Sequence, residues 1–246
     1  MAINTLQSLP TRQTFGGHLM NVSEIFHSVQ GEGPNVGLPT VFLRLSGCNL
    51  KEKCSVPCDT KYAWEEKEKK SLNDVLCVIK SFQSNISYSA GRRLIVTGGE
   101  PLLQQTELSS LLSILKSNSI INFVEIETNG TIIPLKEMIT NVNSWIVSPK
   151  TFPLSIETWQ FLHKPLVNRV HLKFVINNSG TIHNLLETYQ QIGHLIPPER
   201  IVLMPCATTT EEQTTILPSL IETAKIYGFR VSPRLQILAY GQKRGV

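Results

Sequence analysis

Apolar residues follow two alternating patterns along this chain. Between residues 40 and 228, short apolar or β-branched runs alternate with longer segments in which apolar residues recur every three or four positions. The short runs predict strands at 40–45, 94–97, 123–127, 145–147, 170–175 and 201–204. The longer segments predict helices at 72–82, 107–115, 181–192 and 211–227, with shorter helical pieces near Pro134 and Ser155. This alternation is typical of βαβ units and a parallel sheet.

The number of predicted elements indicates an incomplete barrel. A closed eight-fold β/α barrel takes about 250 residues, and in this chain about 40 residues precede the first predicted strand. We therefore expect an α/β fold, a partial (split) TIM-like β/α barrel with about six parallel strands. Residues 1–20 are expected to form a loosely attached tail and residues 21–246 a single domain. The mixed charge run at 65–70 is expected to be the solvated start of the helix at 72–82.

Composition and charge narrow the class of protein. The 246 residues are 41% hydrophobic, which is enough to bury a core in one or two domains. The 23 Lys and Arg against 19 Asp and Glu leave a net charge of +4, which is too slight and too dispersed to indicate a nucleic-acid or membrane partner. No apolar run is long enough to span a membrane, and the first 20 residues do not read as a secretion signal. We expect a soluble, cytoplasmic protein.

Short segments that contain candidate ligand-binding residues follow directly after four of the predicted strands. They are Thr-Gly-Gly-Glu-Pro at 97–101, Glu-Thr-Asn-Gly-Thr at 127–131, Ser-Pro-Lys at 148–150 and Met-Pro-Cys at 204–206. Each alone could be an ordinary turn, since Gly, Asn, Ser and Pro are turn residues. In a parallel sheet, however, ligands bind where the strands end at their carboxyl edge. Four such segments in series therefore indicate a binding site at that edge.

Three of the five cysteines crowd into one loop. Cys48, Cys54 and Cys58 fall within eleven positions after the first predicted strand, whereas Cys77 lies in a helical pattern and Cys206 stands alone. Inert thiols, or a zinc site completed by a fourth ligand, are one interpretation, but structural zinc takes four protein ligands and no second cysteine pair is present. Three thiolates without a fourth suit a cubane iron–sulfur cluster with one iron open to another ligand.

These motifs together resemble a known family. The chain resembles the radical S-adenosylmethionine (SAM) enzymes, and within them the 7-carboxy-7-deazaguanine synthases, from residue 24 to residue 246. A three-cysteine loop with Gly-Gly-Glu-Pro indicates only the superfamily, whereas Gln-Gly-Glu-Gly at 30–33 and Cys-Asp-Thr at 58–60 point to the synthases. Further anchors are Phe-Leu-Arg-Leu-Ser-Gly-Cys-Asn-Leu at 42–50 and Gly-Gln-Lys-Arg-Gly-Val at 241–246.

The resemblance implies an activity and a set of cofactors. The activity is that of a carbon–nitrogen lyase that converts 6-carboxy-5,6,7,8-tetrahydropterin to 7-carboxy-7-deazaguanine with loss of ammonia, in queuosine-type precursor biosynthesis. The implied cofactors are a [4Fe-4S] cluster, SAM and Mg²⁺. SAM would be cleaved to a radical that abstracts a hydrogen atom from the pterin and would then be regenerated. The implied partners are an electron donor such as flavodoxin or ferredoxin and a second copy of the chain in a homodimer.

The resemblance also assigns the cluster and the SAM site. Cys48, Cys54 and Cys58 would hold three irons, although the gap between Cys54 and Cys58 holds three residues where the family generally has two. We expect the loop to bulge by one residue and still deliver the Cys58 thiolate. The SAM-binding residues would be Gly98, Gly99, Glu100, Glu127, Asn129, Ser148, Pro149, Lys150, Met204, Pro205, Cys206 and Ala207. Of these, Glu100 would pair with the ammonium of SAM, and Lys150 could instead be a solvated surface lysine.

Substrate and magnesium residues are assigned in the same way. The substrate would contact Val29, Gln30, Gly31, Glu32, Arg44, Thr97, Gln236 and the terminal residue Val246. Gln30 and Glu32 suit an amino-pyrimidinone edge, and Arg44 could grip a carboxylate or simply pair with a nearby glutamate. Thr60 would bind Mg²⁺, with Asp59 as an alternative ligand. No catalytic residue beyond these ligands is implied, and His27 and His171 are expected to be structural.

Two other functional classes remain open at this point. A radical SAM enzyme that acts on a peptide or protein would share the cysteines and the Gly-Gly-Glu-Pro segment but would have no need of Gln-Gly-Glu-Gly. A non-enzymatic metal-binding module would need only the cysteine loop. Iron content and activity on the carboxypterin distinguish both classes from the lyase.

Overall fold

The fold is described by a computed structural model that covers residues 19–83, 92–163 and 166–246. The strands in chain order are β1 (Leu19–Val29), β2 (Pro39–Leu45), β3 (Glu68–Ser71), β4 (Arg93–Gly98), β5 (Phe123–Thr128), β6 (Ser144–Val147), β7 (Val170–Ile176), β8 (Ile201–Pro205) and β9 (Arg230–Val231). The helices are α1 (Leu72–Gln83), α2 (Gln105–Ser117), α3 (Lys136–Asn141), α4 (Ile156–Phe161), α5 (Ser179–Ile192), α6 (Thr210–Tyr227) and α7 (Leu235–Tyr240).

The strands of these described segments form one sheet in the order β3-β1-β2-β4-β5-β6-β7-β8-β9. From β2 to β9 every neighbouring pair is parallel, whereas β1 pairs antiparallel with both β2 and β3. Because β3 and β9 are at opposite ends of this order and do not pair, the barrel is open. The expected split β/α barrel is confirmed.

Side chains alternate between the two faces of the sheet, as strand geometry requires. On β2, Val41, Leu43 and Leu45 are fully buried in the apolar core beneath the helices, while Phe42 and Arg44 point to the opposite face. The same alternation on β4 to β8 buries Leu, Ile, Val, Phe and Trp on the helix-covered face. The inner face, by contrast, carries polar and charged residues. The sheet therefore has an apolar outer face that stabilises the fold and an inner face that borders a cavity.

The six strands and four long helices predicted from the sequence are confirmed, with ends shifted by no more than two residues. The short helical pieces near Pro134 and Ser155 are α3 and α4, and Ser155 caps α4 by accepting a hydrogen bond from the Thr158 N–H at 3.2 Å. β1, β3 and β9 were not predicted.

One prediction about the edge of the sheet is wrong. The charge run at 65–70 does not start a helix, because Glu68–Ser71 forms β3 on the edge of the sheet and α1 begins only at Leu72. The run is solvated as expected, since edge strands commonly carry exposed charges. The boundary placed after residue 20 falls inside β1, where Met20 is fully buried. Residues 1–18 of the expected tail lie outside the described residues.

Candidate active site

One cavity of about 680 Å³ lies against the inner face of the sheet, at the carboxyl ends of the parallel strands. The four segments that follow β4, β5, β6 and β8 all contribute to its wall, as does the cysteine loop after β2. The wall also includes residues 29–32 after β1 and the last six residues of the chain. The predicted site is thus assembled at one place, with the size of a cofactor and substrate pocket.

All three clustered cysteines border this cavity. Cys48, Cys54 and Cys58 are half-buried free thiols, and the four-residue step from Cys54 to Cys58 passes Val56 and Pro57 along the cavity wall. The Ser55 N–H donates to the Lys150 carbonyl at 2.9 Å, which ties the expanded gap to the segment after β6. The loop therefore brings Cys58 to the same cavity despite its extra residue.

The number and type of these thiols fit an iron–sulfur cluster. Burial raises the pKa of Cys54, and the neighbouring Cys48 and Cys58 thiols raise it further, whereas Lys150 acts in the opposite direction. Within the described part of the chain, no three His, Cys, Asp or Glu side chains converge on one point as a shared metal ion requires. In a cubane cluster each thiolate binds a different iron, so convergence on one point is not needed. The donor set and its single loop fit a cluster with one open iron.

The two glycines after β4 lie where backbone segments touch. A Cβ at Gly98 would be 2.0 Å from the Leu45 carbonyl oxygen, and one at Gly99 would be 2.1 Å from the Gly47 carbonyl oxygen. Gly98 also has a φ of 142°, a conformation that side chains disfavour. The glycines therefore let the end of β4 pack directly against the cysteine loop and border the cavity with backbone.

Glu100 lies beneath the cavity wall and does not border it. It is fully buried, and its carboxylate accepts hydrogen bonds from the Leu102 N–H at 3.0 Å, the Thr128 hydroxyl at 2.8 Å and the Asn129 N–H at 2.7 Å. Burial raises its pKa, and these hydrogen bonds oppose that shift. In this arrangement Glu100 joins the segments after β4 and β5, and the expected contact with a SAM ammonium stays a prediction.

The segments after β5 and β6 present side chains to the cavity. Asn129 Nδ2 donates to Asn49 Oδ1 at 3.0 Å, which connects the segment after β5 to the cysteine loop. Lys150 Nζ donates to Ser148 Oγ at 2.8 Å, and burial lowers the lysine pKa. Lys150 is therefore not a solvated surface lysine. After β8, Met204, Cys206 and Ala207 border the cavity, whereas Pro149 and Pro205 do not.

Gln30 is already occupied by protein partners. Its Nε2 donates to Glu125 at 3.0 Å and Glu127 at 3.1 Å, and its Oε1 accepts from the Glu32 N–H at 3.1 Å. Thr97 Oγ1 donates to the other oxygen of Glu127 at 3.0 Å. Glu127 therefore lies with the predicted substrate residues Gln30 and Thr97.

A buried ionic network surrounds Glu32. Its carboxylate contacts Lys173 Nζ at 2.7 Å, Arg234 Nε at 3.0 Å and Gln236 Nε2 at 2.7 Å. Burial opposes ionisation of Glu32, but Lys173 and Arg234 outweigh it and hold the pKa of the carboxyl well below its usual range. For Lys173, the carboxylates of Glu127 and Glu32 outweigh burial and raise the pKa. The cavity thus contains a fixed set of paired charges.

Sequence analysis missed Lys173 and Glu125. Both interrupt apolar strands on the inner face of the sheet. Lys173 borders the cavity and is only 5% exposed, whereas Glu125 is fully buried and accepts hydrogen bonds from Gln30 and Asn35. A charged residue in the middle of a buried parallel strand is the signal that could have found them, because such a residue is rarely buried unless it is paired.

Arg44 pairs with a glutamate, as one of the two interpretations expected. Its Nε lies 2.6 Å from Glu24 Oε1, and the Tyr62 hydroxyl donates to the same oxygen at 3.0 Å. Arg44 also borders the cavity, next to Phe26 and Phe42. Although Nε is paired with Glu24, Arg44 remains part of the cavity wall that a ligand would contact.

Asp59 and Thr60 follow the last clustered cysteine. Thr60 Oγ1 donates to Asp59 Oδ1 at 2.7 Å, and Arg234 Nη2 donates to Asp59 Oδ2. Burial opposes ionisation of Asp59, but Arg234 holds the pKa of the carboxyl below its usual value. Because the Thr60 proton is directed at Asp59, the lone pairs of the hydroxyl are available to another group.

The chain end folds over the cavity. Residues 241–246, including Val246, border it, and Gly241 and Gly245 have φ angles of 61° and 69° that turn this tail. Arg244 Nη2 lies 2.8 Å from Glu66 Oε2, and its guanidinium carbon is 3.5 Å from the centre of the Tyr62 ring. Val29, Gly31 and Gln236 also border the cavity.

The histidines expected to be structural lie apart from this cavity wall. His27 stacks near Phe82 with ring centres 6.3 Å apart, and His171 has a buried Nδ1 without a hydrogen-bond partner among the described residues.

None of the described helices is long and apolar enough to cross a membrane.

Comparison with known proteins agrees with this geometry. A model of the family described as 4Fe-4S single cluster domain matches residues 29–145. The 7-carboxy-7-deazaguanine synthase of Pyrobaculum aerophilum is 34% identical over 227 residues, which cover 92% of this chain and 97% of the relative. The synthase of Hyperthermus butylicus is 33% identical, with 89% and 92% of the two chains covered.

Solved structures give the same result. The crystal structure of QueE from Escherichia coli superposes with a TM-score of 0.66 at 27% identity and covers 89% of this chain and 96% of that one. A structure described as native anSMEcpe with bound AdoMet and Cp18Cys peptide has a TM-score of 0.52 at 16% identity, over 81% and 65% of the two chains, and shares the fold alone. By its sequence over nearly its whole length, its fold and its cysteine loop, this chain belongs to the 7-carboxy-7-deazaguanine synthase family of radical SAM enzymes.

Proposed function

We propose that this protein converts 6-carboxy-5,6,7,8-tetrahydropterin to 7-carboxy-7-deazaguanine with loss of ammonia. The observation that carries the proposal is that three clustered thiols and a buried network of paired charges border the same cavity. The thiols suit a cluster that binds SAM, and the charges suit a polar, carboxylated heterocycle. The family membership of the chain supports the same reaction.

Cys48, Cys54 and Cys58 would hold the [4Fe-4S] cluster. When bound, the cluster and SAM supply a carbon-centred radical that can remove a hydrogen atom from the substrate. The half-buried loop keeps the three thiols at the wall of the cavity, so that a cluster held by them would border the same cavity as the other predicted ligands. The protein contributes binding and orientation, and the radical chemistry belongs to the cofactors.

The segments after β4, β6 and β8 would hold SAM. Gly98 and Gly99 border the cavity and would offer backbone polar groups to SAM, and Ser148 and Lys150 form a hydrogen-bonded pair suited to a ribose or a carboxylate. Met204 and Ala207 would line the adenine. Lys150 is well placed for an anionic group because it contacts the cavity close to the cysteine loop.

The substrate would occupy the side of the cavity formed by β1, β2, β5 and β7. Glu32 and Glu127 offer carboxylate oxygens for the N–H groups of an amino-pyrimidinone edge, and Gln30 holds Glu127 in place. Arg44 borders the cavity, pairs with Glu24 through Nε, and would use its Nη donors for the substrate carboxylate. Lys173 keeps Glu32 ionised, so that it accepts hydrogen bonds throughout the neutral pH range.

Magnesium, the electron donor and the oligomer complete the proposal. Thr60 would bind Mg²⁺ through the lone pairs left free by its bond to Asp59, and Mg²⁺ would keep water and substrate oxygens as its other ligands. A flavodoxin or ferredoxin would supply the electron. The protein would act as a homodimer in the cytoplasm.

Anaerobic reconstitution followed by a turnover assay tests this function. A brown protein with about four irons per chain should form the deazaguanine product when given the carboxypterin, SAM, Mg²⁺ and a reductant. The Cys54→Ala variant should form none, and Cys77→Ala is the matched control because Cys77 is exposed on α1. A colourless protein with a single zinc would support a metal-binding module instead. A loaded cluster without product from the carboxypterin would favour another radical SAM reaction.

A further inference from the structure

Arg234 joins three separate segments of the cavity wall. It lies between β9 and α7, and its side chain is 9% exposed. Nε donates to Glu32 Oε1 at 3.0 Å, Nη2 donates to Asp59 Oδ2, and Nη1 donates to the Ala207 carbonyl. One guanidinium therefore spans the loop after β1, the cysteine loop and the loop after β8.

The three segments carry different ligands in the proposed function. Glu32 belongs to the substrate segment, and Asp59 lies between the cluster ligand Cys58 and the proposed magnesium ligand Thr60. Ala207 closes the segment that would line the adenine of SAM. Arg234 is thus in contact with the substrate, cluster and SAM segments at once, although no two of them are neighbours in sequence.

The backbone of Arg234 is itself held firmly. Its N–H donates to Gln213 Oε1, and Gln213 Nε2 donates back to the Arg234 carbonyl at 3.4 Å, so both groups are held by one fully buried side chain of α6. On either side, the Gly33 N–H donates to Ser232 Oγ at 2.7 Å and the Leu235 N–H donates to the Gly31 carbonyl at 2.9 Å. The guanidinium therefore projects from a fixed support.

Only an arginine can make this set of contacts. A guanidinium is planar and offers five N–H donors in a fixed fork, whereas a lysine ammonium is a point charge at the end of a flexible stem. The two carboxylates that Arg234 contacts also balance its charge in a site where an unpaired charge is costly. A lysine here keeps the charge but cannot reach the three segments together.

We propose that Arg234 is a positioning residue that holds the substrate, cluster and SAM segments as one unit, so that a ligand bound at one segment changes the affinity of the others. The part about ligand affinity rests on the proposed function. The part about the three segments does not, because it follows from the contacts of Arg234 alone.

Hydrogen exchange of backbone amides tests the first part. In the purified full chain, Arg234→Lys should speed exchange by about tenfold in all three segments, 30–33, 55–60 and 206–209. Arg169→Lys is the matched control, because Arg169 is a partly buried arginine that donates to the Ile139 and Val142 carbonyls at 2.6 and 2.7 Å, away from the cavity. It should leave these three segments unchanged. Loosening of only one segment in Arg234→Lys, or equal loosening in both variants, would overturn the proposal.

Binding of SAM to the cluster-loaded protein tests the second part. In the wild type, saturating carboxypterin should lower the Kd of SAM by about fivefold or more. In Arg234→Lys, the ratio of the Kd of SAM without the carboxypterin to the Kd with it should fall to about one, with unchanged iron content. A ratio that is the same in both proteins, including a wild-type ratio of one, would overturn the coupling. A wild type that does not bind the carboxypterin at all would contradict the proposed function and the coupling that rests on it, and the exchange experiment would still decide whether Arg234 holds the segments.

Discussion

Charged side chains on the inner face of the sheet are the residues that most distinguish this site from an ordinary core. Lys173 and Glu32 are nearly buried and pair at 2.7 Å, with Glu127 3.9 Å from the same ammonium. Removing Lys173 leaves Glu32 with Arg234 as its remaining ionic partner, and a buried charge that has lost part of its compensation is costly. The stability and the binding chemistry of the cavity therefore depend on the same residues.

Lys173→Met tests this dependence. The variant should lose about 3 kcal/mol of unfolding free energy and should bind the carboxypterin at least about tenfold more weakly, because Glu32 loses its shortest ionic contact. Denaturant unfolding and equilibrium binding measure the two effects. The control is Lys225→Met, since Lys225 forms an exposed pair with Glu222 on α6 and such pairs contribute about 0.5 kcal/mol. Equal stability of the two variants would contradict the account.

His171 gives the fold a pH dependence of predictable sign. Burial, together with Arg200 and Arg230, lowers the pKa of His171 to about 4, below its value of about 6.5 in the unfolded chain. Between these values the unfolded chain binds a proton that the folded protein does not, so stability is retained above about pH 6.5 and falls as the pH drops toward 4.

The His171→Gln variant should show a smaller loss of unfolding free energy between pH 7 and pH 5 than the wild type does, measured on the ligand-free protein. His183→Gln, which changes an exposed histidine on α5, should keep the loss of the wild type. An unchanged slope in His171→Gln would show that another group is responsible.

Each of the three clustered cysteines should be required for iron loading and turnover, whereas Cys77 should not be. Cys48→Ala, Cys54→Ala and Cys58→Ala should each abolish iron loading and turnover, whereas Cys77→Ala should leave both nearly intact. Iron analysis and the absorbance of the reconstituted protein measure the loading. A Cys58→Ala protein with a full cluster would show that the expanded gap after Cys54 does not deliver the third ligand.

At the scale of single residues, sequence patterns predicted which residues meet at the cavity better than they predicted the hydrogen-bond partners of those residues. The cysteine loop, the glycines after β4, and Ser148 and Lys150 after β6 border the cavity, as their positions at the ends of strands predicted. The partners of Glu100 and Gln30 could not be predicted, because Glu100 pairs with Thr128 and Asn129 and Gln30 with two glutamates on β5, all of them distant in sequence. Lys173 and Glu125 were missed because a charge in an apolar strand gives no sign of which face it occupies until the register is known.

At the scale of elements, the parallel strands and long helices were predictable because their periodicity persists over enough residues. β1, β3 and β9 were not. β1 mixes polar and apolar residues, with four successive half-buried residues at 23–26 where the burial pattern does not alternate, and β9 has two residues. β3 carries three charges in four positions and is a strand because it pairs with the start of β1, a contact that no local pattern encodes.

The tail at 241–246 is the element with the clearest functional test. Adding a few residues after Val246 should lower turnover by about a hundredfold, because the tail borders the cavity and a small displacement there misplaces the substrate. Iron loading and SAM binding should stay unchanged, since the side-chain contacts of the tail are those of Arg244 with Glu66 and Tyr62 and do not involve the three clustered cysteines. The control carries the same residues at the amino terminus. A C-terminally extended protein with wild-type catalytic efficiency would remove Val246 from the site.

At the scale of the whole molecule, the open barrel places its apolar core on one face of the sheet and its cavity on the other. Its outer face is an almost purely apolar core under the helices, and its inner face gathers the carboxyl-end segments of six strands around one cavity. The fold class followed from the sequence because alternation of strands and helices fixes the layers. The contribution of the chain end to the same cavity is a property of the assembled molecule that appears in no segment alone.

Turnover stoichiometry tests the central claim most directly. The reconstituted protein is incubated with the carboxypterin, Mg²⁺, a reductant and a limiting amount of SAM, and both product and 5′-deoxyadenosine are measured by mass spectrometry. If the protein is a lyase that regenerates SAM, a product with the mass of 7-carboxy-7-deazaguanine should accumulate in large excess over 5′-deoxyadenosine. No product, or one 5′-deoxyadenosine released for every product formed, would contradict the account.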